Sequence, residues 1–337
     1  MTPPRPTFRL VTALAAAVLL ASCGADEAPV DETPEQAAPD PGTTTTPPAD
    51  ESSASADAQP ALDAFPVTID TPTGEVVIEE RPERIISLSP SATEILFAIG
   101  AGDQVVAADE FSNYPPNAPT TELSGYEPNV EAIVGYEPDL VVLANDINEI
   151  EASLTALDIP VIINTAPLDV DSGYDGMAAL GLATGHADEA AAAVSGMRAA
   201  MEDALSGAPQ DAQIRVYHEL DETFFSASSH SYIGSVYAAM GAVNIADEAD
   251  TDQTGYPQLT EEAIVTADPQ LILIQSQAAY TAEDVAARPG WSQVSAVKNG
   301  NIIVVDSDIS SRWGPRLPQL VDLVVGALSD IAVPAGR

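Results

Sequence analysis

The sequence predicts an α/β protein: two small doubly wound lobes, each a mostly parallel sheet covered by helices, joined by one long backbone α-helix, with a cleft between the lobes. Three observations carry this expectation. They are an internal repeat, a set of short apolar runs spaced like buried parallel strands, and an Ala-rich helical stretch between the two copies.

The repeat lies on either side of residue 200. In one copy Glu131-Ala132-Ile133-Val134 is followed, after three residues, by Pro138, one residue, and Leu140-Val141-Val142-Leu143. In the other, Glu262-Ala263-Ile264-Val265 leads with the same spacing to Pro269 and Leu271-Ile272-Leu273-Ile274. Each copy reads as a short helix, a Pro-containing turn and a strand apolar on both faces, the mark of a parallel sheet covered on both sides.

Upstream, Ile85-Ile86-Ser87-Leu88 predicts a strand before a helix over 92–99 that stops at Gly100. Val216-Tyr217-His218-Glu219 predicts a strand before a helix over 234–240 that stops at Gly241. Glycine just past a helix end accepts the left-handed conformation that the stop requires. Downstream, Pro160-Val161-Ile162-Ile163 and Ile302-Ile303-Val304-Val305 add a strand to each half. Between the copies, residues 175–206 are Ala-rich, with Met, Leu and Val at helical spacing and a capping region at Gly185-His186-Ala187-Asp188. Asp188 and Glu189 then fall in a first turn, where negative charge suits the helix dipole. A helix of about 20 residues spans about 30 Å, so the lobes are expected to hinge little.

The N-terminus is organised differently. Arg5 and Arg9 precede an apolar run over 10–21 that is too short for a permanent membrane span. It ends in Leu20-Ala21-Ser22-Cys23, the pattern of a bacterial lipobox, and Cys23 is the single cysteine, so no disulfide forms within the chain. Residues 1–22 are therefore expected to be a lipoprotein signal peptide. Residues 23–63 are expected to be a lipidated Cys23 and an acidic, Pro- and Thr-rich tether without a Lys, Arg or aromatic residue, unable to bury enough apolar surface to fold. The N-terminal lobe is expected over 64–174, the backbone helix region over 175–206 and the C-terminal lobe over 207–337. The net charge of −41, with Lys298 as the single lysine, argues against nucleic acid or an anionic membrane surface as partner.

Arg84-Ile85-Ile86-Ser87-Leu88-Ser89-Pro90-Ser91-Ala92-Thr93-Glu94, Asn113-Tyr114-Pro115-Pro116, Pro128-Asn129-Val130-Glu131-Ala132-Ile133 and Pro138-Asp139-Leu140-Val141 together resemble a known family. It is the class of ABC-importer substrate-binding proteins with a single backbone helix, which carry vitamin B12, ferric siderophores, haem or metal ions. The resemblance runs from about 82 to 330 and is nearest to the vitamin B12-binding members. It implies a monomeric, non-catalytic protein without a cofactor, held outside the cell by its lipid. Such a protein captures a small ligand and delivers it to permease and ATPase subunits. Glu131 and Glu262, one per lobe, match the family's docking glutamates. The implied ligand is a corrinoid such as cobalamin, with a ferric siderophore as the alternative.

The residues expected at the cleft are Tyr114, Tyr126, Phe224, Tyr256, Trp291, Arg312, Trp313 and Arg316, because a large planar ligand is well held by aromatic faces and a few polar groups. Arg312 and Arg316 flank Trp313 in a chain poor in cations, and Arg288 is a further candidate. Two other readings compete. His186, His218 and His230 could serve a metal, although they are scattered. Ser226, Ser228, Ser229 and His230, near Glu219 and Asp221, could form a serine-hydrolase site, although no nucleophile elbow or phosphate loop accompanies them.

Overall fold

The computed structural model describes residues 65–333. Cys23, the apolar run before it and the tether up to residue 63 lie outside the described residues. A hairpin of β1 (Val67–Thr71) and antiparallel β2 (Gly74–Ile78) leads into the first lobe. There β3 (Ile85–Leu88), α1 (Pro90–Ala98), β4 (Val105–Ala108), α2 (Val130–Val134), β5 (Leu140–Leu143), α3 (Ile150–Thr155) and β6 (Val161–Ile163) build a parallel sheet in the order β4-β3-β5-β6. The connection is α4 (Val170–Thr184) and α5 (Ala187–Leu205).

The second lobe comprises β7 (Arg215–Glu219), α6 (Tyr232–Ala239), β8 (Val243–Asn244), α7 (Glu261–Ala267), β9 (Leu271–Gln275), α8 (Ala282–Ala286), α9 (Ser295–Asn299), β10 (Ile302–Val305), α10 (Ser307–Ser311) and α11 (Leu317–Ala332). Its strands are also parallel, in the order β8-β7-β9-β10. Each sheet therefore places its strands in the same succession, second, first, third, fourth. The sequence repeat is a repeat of topology.

The non-alternating apolar runs have the expected cause. All of β3 and β5, and Leu271 to Ile274 of β9, are buried. In the first lobe Ile85, Leu140 and Val142 face the cluster containing Leu96 of α1 and Met177 of α4. Ile86, Val141 and Leu143 face the opposite side, with Ile133 and Leu154.

The repeat extends to individual hydrogen bonds. Arg84, entering β3, donates to the carbonyls of Tyr136 and Glu137 just past α2, and its own carbonyl accepts from the Asp139 amide. Arg215, entering β7, donates to the carbonyls of Ala267 and Asp268 at the end of α7, and its carbonyl accepts from Gln270. In each lobe one guanidinium thus ties the entry of the first strand to backbone carbonyls at or just past the end of the matching helix.

The connecting region differs from a single uninterrupted helix. The α4 helix stops at Gly185 (φ 74°), and α5 starts after His186. The two helices then pack on each other through small residues: a Cβ at Gly181 would stand 2.2 Å from that of Ala190. Arg81 braces the break, donating from Nε to the Thr184 carbonyl at 3.2 Å and contacting His186 Nε2 at 2.8 Å through Nη2. The β1–β2 hairpin, β4, α3, β8 and α8 to α11 are additions to the expected elements. Of these, α11 packs on α5. Its buried Leu317, Leu320, Val321, Val324 and Leu328 follow helical spacing.

Candidate functional site

In both sheets the segments following the strands converge on one cavity of about 850 Å³. Ser89 follows β3, Asn145 follows β5 and Asn164 follows β6, while Gln277 comes after β9 and Ser307 and Asp308 after β10. Ligands of open α/β sheets bind at the carboxyl ends of strands, where diverging loops leave a crevice. The first turns of α4 complete the wall with Asp169, Ser172, Gly173 and Gly176. This wall is rigid, because Asp169 caps α4 in a reciprocal pair with Ser172.

The lip is aromatic. Phe111 and Tyr126 meet edge to face, their ring centroids 5.8 Å apart, and Tyr126 is 72% exposed. Phe111 is held in place by the Asp109 carboxylate, which accepts from the amides of Phe111 (2.7 Å) and Ser112 (3.0 Å). Burial pushes the Asp109 carboxyl above the ordinary carboxylate range, although these hydrogen bonds and Arg312 pull the other way. Leu168, 78% exposed, lines the same cavity.

At the other side the cavity meets a buried charge cluster. Arg312 donates to Glu94, to the Asn113 side chain, to the Phe111 carbonyl and to Asp308. Arg316 grips the same Glu94, from Nε to Oε2 at 2.8 Å and from Nη2 to Oε1. Its guanidinium also lies over the Tyr114 ring, 4.2 Å from the centroid. The hydrogen bond to Glu94 is the main cause that raises the Arg316 pKa. Glu94 and Asp308 together balance the two arginines, so neither guanidinium presents unneutralised charge to the cavity.

Of the eight residues expected at the cleft, Tyr126, Arg312 and Trp313 line the cavity. Trp313 lies against α4 where Gly173 leaves room, since a Cβ there would fall 1.9 Å from the indole. Its ring meets Tyr174 edge to face. The other five do not line it. Trp291 is fully buried in the second lobe, and its Nε1 donates to Glu261 at 2.8 Å. Phe224, at φ 68°, stacks on Trp291 beneath the Arg288 guanidinium. Trp291 is buried in an apolar core and the half-buried Phe224 packs against it, which corrects their assignment to the cleft. Tyr114 and Arg316 are engaged with each other, and Tyr256 is half exposed outside the cavity. Arg288 forms a bidentate pair with buried Glu219, both contacts 2.7 Å.

The competing readings meet different arrangements. The hydroxyls of Ser228 and Ser229 donate to Asp250 and Asp247, and that of Ser226 to the His218 carbonyl; none is bonded to an imidazole ring. His186, His218 and His230 stand apart, beside Arg81, Tyr237 and Asp250 respectively. Among the described residues no group of three His, Cys, Asp or Glu side chains is placed to hold a metal. No described helix is long and apolar enough to cross a membrane.

Comparison with known proteins decides the family. A model of the family described as periplasmic binding protein matches residues 85–309. The chain belongs to that family. A cobalamin-binding protein of Halobacterium salinarum is 32% identical over 283 residues, covering 80% of this chain and 76% of the relative. An uncharacterised ABC transporter substrate-binding lipoprotein of Bacillus subtilis is 32% identical over 278 residues, covering 79% and 86%. Among solved structures, the periplasmic vitamin B12-binding protein of Vibrio cholerae superposes with a TM-score of 0.64 at 27% identity, covering 74% of this chain and 98% of that one. A periplasmic haem-binding protein of Roseiflexus shares the fold, with a TM-score of 0.66 at 24% identity over 74% of this chain and 99% of its own.

As a periplasmic binding protein, the chain carries Glu131 and Glu262 at matching places. Each is the second residue of its helix, after Asn129 caps α2 and Thr260 caps α7. Both are exposed, and neither carboxylate has a hydrogen bond or ion pair among the described residues. The signals that sequence reasoning passed over are the residues at the strand ends, Asn145, Asn164 and Gln277, and the partner of the exposed Tyr126, Phe111.

Proposed function

We propose that this chain is the substrate-binding protein of an ABC importer, held outside the cell by a lipid on Cys23, and that its ligand is a corrinoid. The observation that carries the choice of ligand is the charge of the cavity wall. Arg312 is the cation on that wall, and it is paired with Glu94 and Asp308. Asp70, Asp169, Asp175 and Asp308 also line the cavity, while the uncharged polar lining consists of side-chain amides and hydroxyls. A ferric catecholate or another strongly anionic complex would meet carboxylates here without free cations to receive it. A large, weakly charged ring bearing carboxamides is matched by the Phe111–Tyr126 lip and the neutral amides. The similarity to the cobalamin-binding protein of Halobacterium salinarum supports the same ligand.

Glu131 and Glu262 then serve as the two acidic knobs that register one lobe each on the permease. Both must engage at once, so a rigid two-lobed body gives orientation as well as attraction. The ligand is released unchanged, and the protein does no chemistry. Gel filtration of residues 24–337 after mixing with cyanocobalamin tests the reading. The corrin absorbance is expected to elute with the protein at one equivalent. Elution of all corrin at the small-molecule volume would reject the corrinoid.

A further inference from the structure

The charges that line the cavity do not cancel. Among the described residues its wall holds the carboxylates of Asp70, Asp169, Asp175 and Asp308 and the guanidinium of Arg312. Asp308 and Arg312 belong to the cluster in which Glu94 and Asp308 offset Arg312 and Arg316, so that cluster is neutral. Asp70, Asp169 and Asp175 remain. All three are exposed, and none is ion-paired among the described residues. Arg198, the cation held against α4, is paired with Asp171 at 2.7 Å and lies over the Tyr174 ring. The start of α4 would otherwise favour an anion, because a helix N-terminus offers unpaired amides. Here the Asp169 carboxylate takes that place, accepting from the Ser172 amide at 2.8 Å and the Ser172 hydroxyl at 2.7 Å. These bonds hold the Asp169 carboxyl below the usual carboxylate range, so it is charged at neutral pH.

We propose that Asp70, Asp169 and Asp175 make the cavity a charge filter, which accepts a macrocycle whose side chains are carboxamides and rejects the same macrocycle when one of them is a carboxylate. This deepens the corrinoid reading and rests on it. A neutral carboxamide is not repelled by the wall, and its N–H₂ is a donor for oxygen acceptors of the kind the wall offers. A carboxylate has no proton to donate at neutral pH and adds a like charge to three that are uncompensated. Shape alone cannot separate the two ligands, because the groups are nearly equal in size. Discrimination therefore comes from the repulsive element, the unpaired aspartates.

The probes are cyanocobalamin and its separated mono-acids, in each of which one peripheral propionamide is hydrolysed to propionate. At low salt the wild type is expected to bind at least one mono-acid about fivefold to tenfold more weakly than cyanocobalamin, the scale of a few solvated charge contacts. The ratio of the two Kd values is expected to approach unity in about 1 M salt, where screening acts within ~3 Å. Asp70→Asn/Asp175→Asn keeps the side-chain shapes and spares the Asp169 cap. It is expected to bring the low-salt ratio below about threefold. Most of the net charge of −41 stays in place in that variant, so a fall in the ratio assigns the selection to the wall and not to the overall field of the chain. If every mono-acid binds the wild type within about twofold of cyanocobalamin, or if the double variant discriminates as strongly as the wild type, the filter is wrong and the corrinoid reading survives. If the wild type does not bind cyanocobalamin, the corrinoid reading falls and the filter with it.

Discussion

Arg316, at the entry to the last helix, donates through Nε to Oε2 of Glu94 in the first helix at 2.8 Å, joining the two lobes beside the cleft. Arg312 shares the same carboxylate, and all three side chains are largely buried. Taking one partner from a buried ion cluster leaves the others desolvated without compensation, a loss of about 3–5 kcal/mol. Glu94→Gln is therefore expected to lower the unfolding free energy by that order in urea titrations. Asp171→Asn, which breaks the exposed pair with Arg198, is expected to cost less than about 1 kcal/mol. Equal effects would mean that the cluster is not a structural joint.

The tight fit at Gly173 predicts a second effect. A methyl group there would overlap the Trp313 indole, with 1.9 Å to Cε2. Gly173→Ala is expected to destabilise by about 1–3 kcal/mol through overpacking, and to change the fluorescence of Trp313. An unshifted melting temperature and emission spectrum would contradict the placement.

Docking makes a separable prediction. Glu131→Ala and Glu262→Ala lie on exposed helix starts away from the cavity, so ligand affinity is expected to stay within about twofold, since surface substitutions rarely exceed ~0.5 kcal/mol. Stimulation of the importer's ATPase and uptake are expected to fall, and further in the double variant. Loss of ligand binding in either single variant would place that residue in the cleft instead.

His218 predicts a pH dependence. The ring is fully buried, between the Tyr237 hydroxyl at 2.9 Å and the Gln275 amide at 2.9 Å, and burial pushes its pKa down to about 4. An unfolded histidine titrates near 6.5. Between these values the unfolded chain binds a proton that the native one refuses. Stability from this group is thus whole above about pH 6.5 and is lost as pH falls toward 4, by roughly 3 kcal/mol in all. The wild type is expected to lose more unfolding free energy between pH 7 and pH 5 than His218→Gln does. Parallel losses would show that His218 titrates normally.

The anchor is tested by Cys23→Ser, which is expected to leave the precursor uncleaved or to release the protein from membranes. Normal processing and membrane retention of the variant would contradict lipidation.

Much of the fold was legible in the sequence because the repeat is local and periodic. Buried parallel strands leave uninterrupted apolar runs, Gly100, Gly185 and Gly241 take the left-handed conformation at helix ends, and each helix-start glutamate lies four residues before the turn that ends at a proline. The site was less legible, for a physical reason. Arg312 and Arg316 read as ligand groups because their partner, Glu94, is more than 200 residues away in the chain. Trp291 read as a cleft aromatic because it sits in a loop, and only the tertiary fold reveals that Glu261 and Phe224 enclose it. Asn145, Asn164 and Gln277 carry no motif at all. They become a wall only when the strands of both sheets end at the same place. By contrast, the spacing of Leu317, Leu320, Val321 and Val324 in α11 is an ordinary helical pattern that sequence reasoning could have used.

Calorimetric titration of residues 24–337 with cyanocobalamin, a ferric hydroxamate and a ferric catecholate, at fixed salt, tests the central claim most directly. The cavity, lined by aspartates, amides and hydroxyls with no unpaired cation, predicts one saturable site for cyanocobalamin, with Kd of ~10⁻⁶ M or tighter, and no comparable isotherm for the catecholate complex. A tight isotherm for either iron complex, with no heat from cyanocobalamin, would contradict it.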